Sequence, residues 1–219
     1  MSGQDRAEQA GSHDDGERGM DGAQGRRQRG TAAGWGHGGT RGEAPVRAVL
    51  FDRDDTLIHN VPYLDDPEGV RPVAGARDLL DRLRARGIAV GVVSNQSGVA
   101  RGLITPDALA RVNARVEAEL GPFDTWQVCP HGEQDGCGCR KPAPGLVIAA
   151  AAALGLEPAE CLMVGDIGAD VAAGLGAGAR AVLVPTPVTR PEEVERARRT
   201  AAVAGSLEEA VGLHLAGLR

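Results

Sequence analysis

Short apolar runs alternate with amphipathic segments along most of this 219-residue chain. The apolar runs have the length of buried strands, and the amphipathic segments have the spacing and end signals of helices. Strands and helices in strict alternation indicate βαβ units, in which helices cover both faces of a parallel sheet. The sequence therefore predicts a three-layer, Rossmann-like α/β fold with a central parallel sheet.

Five strands and five helices are predicted. The strands fall at 46–51, 88–94, 125–128, 161–164 and 179–184, and the helices at 74–86, 106–120, 144–154, 168–177 and about 207–218. The polar connection 57–73 directly follows the first strand, so we expect it to overhang the carboxyl edge of the sheet as a specificity loop. No insertion is long enough for a separate large cap domain.

Residues 1–45 differ from the rest of the chain. They contain twelve glycines and no Leu, Ile, Val or Phe, so they cannot bury enough apolar surface to order themselves. We predict a disordered tail at 1–45 and one domain at 46–219. The tail lacks the apolar region of a secretory signal, and no stretch has the length of a membrane span. We expect a cytoplasmic monomer with no membrane partner.

The charge balance narrows the class of substrate. A net charge of −6 argues against nucleic-acid binding, which needs a basic face. An anionic small molecule remains compatible, because a few local cations can offset the global charge. Of the 24 basic residues only Lys141 is a lysine, although one lysine can also survive by chance.

Four motifs carry the candidate chemistry, and each falls at a junction between a strand and a helix. They are Asp52-x-Asp54, Ser94-Asn95, Arg140-Lys141-Pro142 and Gly165-Asp166-x-x-x-Asp170. One such motif alone is more often an ordinary turn. All four in this order are not expected by chance, and open α/β sheets bind ligands at the carboxyl ends of their strands.

Each motif has a chemical role in phosphoryl transfer. An aspartate such as Asp52 can attack phosphorus and form an aspartyl-phosphate, while Asp54 can protonate the leaving oxygen and then deprotonate water. Asp52 and Asp166 can hold Mg²⁺ if their strands are neighbours. Ser94 and Lys141 can contact the phosphoryl oxygens.

With these motifs the sequence resembles the haloacid-dehalogenase (HAD) superfamily of Mg²⁺-dependent phosphatases, over residues 46–187. The resemblance implies neighbouring strands ending at Asp52 and Asp166. It also implies Mg²⁺ bound by Asp52, the main-chain carbonyl of Asp54 and Asp166, with Asp170 supporting the site from behind. Ser94, Asn95 and Lys141 correspond to its phosphate-binding motifs.

A second cluster has the spacing of a metal site. Its members are Cys129, His131, Cys137 and Cys139. Three thiolates and one imidazole suit tetrahedral Zn²⁺, and because all four positions are filled by protein the ion would be structural. A disulfide fits poorly in a cytoplasmic chain, and unpaired structural cysteines are the main alternative. Cys161 begins a predicted strand and is interpreted as a core residue.

The zinc loop resembles two kinds of phosphatase in the superfamily, the heptose bisphosphate phosphatases and the histidinol-phosphate phosphatases. The stretch 95–102, Asn-Gln-Ser-Gly-Val-Ala-Arg-Gly, is more similar to the former, and by this resemblance Arg140 would meet the sugar or a second phosphate.

The sequence departs from these phosphatases at two positions. Asp55 stands where they usually have Gly, and Ile167 stands where the heptose enzymes usually have Lys. Aspartate tolerates left-handed geometry well, but Ile167 removes a cation near the phosphoryl site.

The predicted function is thus hydrolysis of a sugar phosphate, with a heptose bisphosphate as the preferred substrate. Hydrolysis of histidinol phosphate is the alternative within the same chemistry. A polynucleotide phosphatase is disfavoured by the acidic charge. From a different class, the chain could be a catalytically silent, zinc-stabilised binding protein, although all the chemical positions are intact.

Overall fold

The computed structural model describes residues 44 to 217. The predicted tail, 1–45, lies outside the described residues except for its last two positions. These described residues belong to one compact unit.

Six parallel strands form a single sheet in the order β3-β2-β1-β4-β5-β6. Their bounds are β1 Ala48–Phe51, β2 Ala89–Asn95, β3 Thr125–Cys129, β4 Cys161–Gly165, β5 Arg180–Leu183 and β6 Ala202–Val203. The helices are α1 Ala76–Ala85, α2 Pro106–Leu120, α3 Gly145–Ala153, α4 Gly168–Ala177, α5 Pro191–Thr200 and α6 Leu207–Gly212. The three-layer α/β prediction is confirmed.

Two apolar layers sandwich the sheet. On one face, side chains of α1, α2 and α6 pack against the strands, among them Leu80, Val116 and Val211. On the other face, α3, α4 and α5 cover the sheet with smaller side chains, as Ala150 and Ala173 illustrate. The near-continuous burial of β1 and β4 is what helices on both faces of a parallel sheet require.

The strand order places the functional edge. β1 pairs in parallel with β2 on one side and with β4 on the other, so the direction of winding reverses between β1 and β4. Ligands bind at such a switch point, outside the carboxyl ends of the strands. The prediction that the strands ending at Asp52 and Asp166 are neighbours in the sheet is confirmed.

Three secondary-structure predictions need correction. α5 and β6 were not predicted, and α6 ends at Gly212 instead of about 218. α5 buries only Ala197, so its apolar positions are too sparse to give a clear helical period. β6 has two residues, which is too short for any alternating pattern.

The connection between β1 and α1 is a loop that contains one short 3₁₀ turn, Pro67–Gly69. No large cap domain is inserted anywhere between residues 44 and 217, as predicted. In the same part of the chain, no helix has the length and apolarity that crossing a membrane requires.

Candidate active site

A cavity of about 410 Å³ opens among the loops that follow β1, β2 and β4. Six of the predicted residues line it, namely Asp52, Asp54, Asn95, Lys141, Asp166 and Asp170. Each of the four sequence motifs contributes at least one side chain to this cavity. The fold therefore brings together six motif residues that are distributed over 119 positions of the sequence, from 52 to 170.

Lys141 is held at three points in this cavity. Its Nζ donates to Asp52 Oδ1 at 2.5 Å and to the carbonyl oxygen of Val93 at 2.7 Å, and it lies 2.6 Å from Asp170 Oδ1. Burial favours the neutral amine, but the carboxylates of Asp170 and Asp52 outweigh it and raise the Lys141 pKa above its usual range. The ammonium is thus charged and fixed against the end of β1.

Asn95 positions the main chain of that lysine. Its Nδ2 donates to the carbonyl oxygen of Lys141 at 3.0 Å, and its Oδ1 accepts from the Lys141 N–H at 3.0 Å. This reciprocal pair ties the loop before α3 to the end of β2, 46 positions away. The resemblance implied phosphate binding by Asn95; the geometry shows a residue whose amide is already occupied in holding Lys141.

Three buried carboxylates meet around the lysine. Oxygens of Asp52, Asp166 and Asp170 all lie within 4.8 Å of one another. Burial, reinforced by Asp170, raises the pKa of Asp166 to about 7. Burial likewise raises the pKa of Asp52, against the lowering effect of Lys141. Three acids facing one ammonium leave an excess of negative charge, and hard oxygen donors so arranged suit a divalent cation such as Mg²⁺.

Two threonines orient Asp166. The hydroxyl of Thr56 donates to Asp166 Oδ1 at 3.3 Å, and the hydroxyl of Thr189 donates to the Asp166 carbonyl oxygen at 2.7 Å. Thr56 lies two residues after Asp54, whereas Thr189 lies in the loop after β5. Thr189 was not predicted as a site residue, because nothing in the local pattern of that loop distinguishes it from a turn residue.

Asp54 has a separate set of partners. Arg53 donates to both of its oxygens, from Nε to Oδ1 at 3.1 Å and from Nη2 to Oδ2 at 3.1 Å. Gln96 Nε2 donates to Asp54 Oδ2 at 2.7 Å and to the hydroxyl oxygen of Ser94 at 2.8 Å. Ser94, predicted to contact the phosphoryl group, is buried and bonded to Gln96. Arg53 and Gln96 were not singled out as site residues in the sequence.

Asp55 keeps the backbone geometry that glycine would give. Its φ of 58° lies in the left-handed region, and its Oδ1 accepts from the Asn60 N–H at 3.2 Å. The expected tolerance of aspartate for this conformation explains how the turn forms without glycine. Ile167, the other departure, lines the cavity where a lysine would have added a positive charge.

The predicted specificity loop borders the cavity. Asn60, Val61, Pro62 and Tyr63 all line it. The hydroxyl of Tyr63 accepts from Arg101 Nη1 at 2.8 Å, which joins this loop to the one after β2. The cavity is therefore lined by apolar and aromatic side chains of this loop as well as by the acidic residues.

The four zinc-ligand candidates converge as closely as a metal requires. Distances between their ligand atoms are 3.7 Å for Cys129–Cys137, 3.3 Å for Cys129–Cys139, 3.4 Å for Cys137–Cys139, 3.5 Å for Cys129–His131 and 3.2 Å for His131–Cys139. A tetrahedron with zinc–sulfur bonds of about 2.3 Å has edges of about 3.8 Å. The sulfur separations far exceed the roughly 2.05 Å of a disulfide bond, and all the cysteines are free. The donor set and its spacing thus fit Zn²⁺.

Arg140 lies to one side of the main cavity. Its Nη2 is 3.5 Å from Glu133 Oε1, and its Nη1 donates to the carbonyl oxygen of His131 at 3.5 Å. It lines a neighbouring cleft of about 270 Å³ together with Lys141 and Pro142. The structure therefore does not bring Arg140 into the wall of the main cavity, although Lys141 faces both spaces.

The fold, the cluster of acids and the facing lysine define a phosphohydrolase of the HAD type. Residues 138–210 match the HAD-hydrolase-like family. The chain belongs to the heptose bisphosphate phosphatase family of these hydrolases, because it is more than 30% identical to curated members and covers most of their length.

Two relatives carry this assignment. One is the D-glycero-β-D-manno-heptose-1,7-bisphosphate 7-phosphatase of Pseudomonas putida, 38% identical over 64% of this chain and 83% of that protein. The other is the enzyme of the same name from Escherichia coli K12, 32% identical over 68% of this chain and 85% of that protein. Among solved structures, the D,D-heptose 1,7-bisphosphate phosphatase of B. bronchiseptica, complexed with magnesium and phosphate, superposes with a TM-score of 0.68. It shares 27% identity and covers 77% of this chain and 98% of its own.

Proposed function

We propose that this protein removes the 7-phosphate of D-glycero-D-manno-heptose 1,7-bisphosphate. The observation that carries the proposal is the contact between Asp52 and Lys141 inside a cluster of carboxylates. The curated relatives of the chain are named for this activity. The 95–102 loop and the apolar mouth formed by Val61 and Tyr63 would receive the sugar.

The proposed reaction has two steps. Asp52 attacks phosphorus; its oxygen forms a bond to phosphorus as the bond to the sugar oxygen breaks, and Asp54 gives its proton to the departing oxygen. Water then attacks the aspartyl-phosphate, passes a proton to Asp54, and releases phosphate as the bond to Asp52 breaks. Lys141 offsets charge on the nucleophile and the phosphoryl oxygens throughout.

Asp52, Asp166 and the main-chain carbonyl of Asp54 would hold Mg²⁺. When bound, the ion would neutralise charge between the nucleophile and the phosphoryl group and orient the two for reaction. Asp170 supports this arrangement through its ion pair with Lys141 and by accepting the Ile167 N–H at 3.1 Å. The excess of carboxylates over ammonium supports the presence of a divalent cation.

We also propose a structural Zn²⁺ on Cys129, His131, Cys137 and Cys139. None of the residues of the 3₁₀ turn Glu133–Asp135 and none of the three glycines of this loop is buried, so the loop has little apolar content with which to fold alone. A bound ion would stabilise it and hold the following residues, Arg140 and Lys141, in place. Reduced thiols are consistent with a cytoplasmic location.

Phosphate release from a panel of substrates tests the proposal. The full-length protein with Mg²⁺ should hydrolyse the heptose bisphosphate with a kcat/KM at least about 100-fold above that for histidinol phosphate or simple hexose phosphates. Preference for histidinol phosphate would transfer the assignment to the alternative. No turnover of any phosphate monoester would support the silent binding protein.

A further inference from the structure

Arg53 is a deeply buried charged side chain beside the cavity. It lies between the two motif aspartates in sequence, yet its side chain points into the interior and is only 2% exposed. A guanidinium stays charged in a protein, and burying an isolated charge is costly. Its partners must therefore account for its position.

Those partners form a chain that leads out of the active site. Nε and Nη2 of Arg53 bind the two oxygens of Asp54, and Nη1 donates to Asn113 Oδ1 at 2.7 Å. Asn113 lies on α2, 60 positions further along. The planar guanidinium presents its donors in a fixed geometry, so a guanidinium held by Asn113 also fixes the plane of the Asp54 carboxylate.

The arrangement also gives the two motif aspartates different cationic partners. Asp52 pairs with Lys141 and Asp54 pairs with Arg53, so each carboxylate has its own cation. Asp54 nevertheless remains accessible, with 24% of its side chain exposed in the cavity. An ion pair with only a structural purpose would not need one member open to substrate.

We infer that Arg53, anchored by Asn113, is a positioning residue that orients Asp54 for proton transfer to the leaving group. This inference rests on the proposed phosphatase activity and assigns to Arg53 a part in it that acts through Asp54. A protonated carboxyl group that is free to rotate would donate its proton less often along the direction of the departing oxygen, and well-placed acid catalysis contributes on the order of 10²–10⁴-fold.

Two substrates that differ in their need for a proton test the inference. A sugar oxygen leaves as an alkoxide unless it is protonated, whereas p-nitrophenolate leaves without help. Arg53→Gln should therefore lower kcat/KM for the heptose bisphosphate by roughly 30-fold or more, and kcat/KM for p-nitrophenyl phosphate by less than about threefold. Arg53→Lys, which cannot bind both oxygens at once, should fall between wild type and Arg53→Gln.

A second variant keeps the test valid if Arg53→Gln does not fold. Asn113→Ala leaves the charge pair intact and removes only the anchor, so it should show the same substrate pattern with a loss of about three- to tenfold on the sugar phosphate. Arg115→Gln is the matched control, because Arg115 is on the same helix but binds Glu119 and Glu68 at the surface. It should leave both activities unchanged.

The outcomes are distinguishable. Selective loss on the sugar phosphate in Arg53→Gln or Asn113→Ala supports the positioning role. Equal losses on both substrates, or no loss in either variant, would overturn it while the phosphatase activity of the wild type stands. A wild type that turns over neither substrate would remove the proposed function itself.

Discussion

The Nζ of Lys141 lies 2.5 Å from Oδ1 of Asp52, although 89 positions separate the two residues in the chain. Parallel pairing of β1 with β2 and β4 places the ends of three strands together, and the Asn95 amide then fixes the lysine over the end of β1. The contact is therefore produced by the topology of the sheet and by one reciprocal pair of hydrogen bonds.

Gly165 allows Asp170 to reach Lys141. A Cβ at position 165 would overlap the carboxylate and Cβ of Asp170, so Gly165→Ala should push that side chain away from the ammonium. We expect kcat/KM to fall by at least about tenfold and stability by roughly 1–3 kcal/mol, measured by steady-state kinetics and urea unfolding. Gly176→Ala is the control, because its Cβ would meet only Pro144 at 3.6 Å; it should retain full activity. Equal behaviour of the two variants would show that the close approach is unimportant.

The zinc loop should depend on each of its ligands. Cys139→Ser should reduce zinc, measured by atomic absorption, from about one ion per chain to a small fraction, and should lower the Tm, because metal binding contributes folding energy. Cys161→Ser is the control, since Cys161 is a buried free cysteine that does not belong to the group of four possible metal ligands. It should affect the Tm but not the zinc content. Unchanged zinc in Cys139→Ser would refute the assignment of ligands.

Stability should depend on pH through the acidic cluster. An unfolded aspartate has a pKa near 3.8, whereas burial raises the pKa of Asp166 to about 7 and also raises that of Asp52. The folded, metal-free protein thus binds more protons than the unfolded chain, so the stabilisation is present below about pH 4 and is lost as the pH rises through about 7.

Mg²⁺ should reverse that loss, because it binds the ionised carboxylates. We expect the rise in Tm on adding Mg²⁺ to be small at pH 5.5 and clearly larger at pH 8, measured by differential scanning calorimetry. Asp166→Asn should abolish most of the difference. A Tm shift that is equal at both pH values would contradict a carboxylate site for the ion.

Asp55 should tolerate glycine but not a β-branched residue. At a φ of 58°, Asp55→Gly relieves backbone strain while removing the hydrogen bond to Asn60, and stability should change by no more than about 1 kcal/mol. Asp55→Val should be less stable than Asp55→Gly by about 1–2 kcal/mol, because a branched Cβ is disfavoured there. Urea unfolding of the pair gives the difference directly, and equal stabilities would show that the turn adapts.

The sequence was sufficient for features that depend on local pattern. The apolar runs before Asp52, Ser94 and Asp166 end where the structure ends β1, β2 and β4 to within a residue or two. The four zinc-ligand candidates lie within eleven positions, so their meeting required only a turn. The pairing of β1 with β4 was predicted from the resemblance to the HAD superfamily, and the structure confirms it.

Side-chain direction was not predictable in the same way. The motif that contains Asp52 and Asp54 gave no sign that Arg53 would turn inward to Asn113, because that contact depends on how α2 packs 60 positions away. Arg140 follows the zinc loop directly, yet its guanidinium lies toward Glu133, outside the main cavity. Adjacent positions in a loop share a location but not an orientation.

The proposed mechanism depends most directly on Asp52 as the nucleophile. With saturating Mg²⁺ and heptose 1,7-bisphosphate, wild-type protein should release the phosphate from carbon 7. Asp52→Asn should reduce that release by at least about 1,000-fold while its Tm in the metal-free state stays within a few degrees of wild type. Substantial remaining turnover by Asp52→Asn, in a folded protein, would contradict the aspartyl-phosphate mechanism.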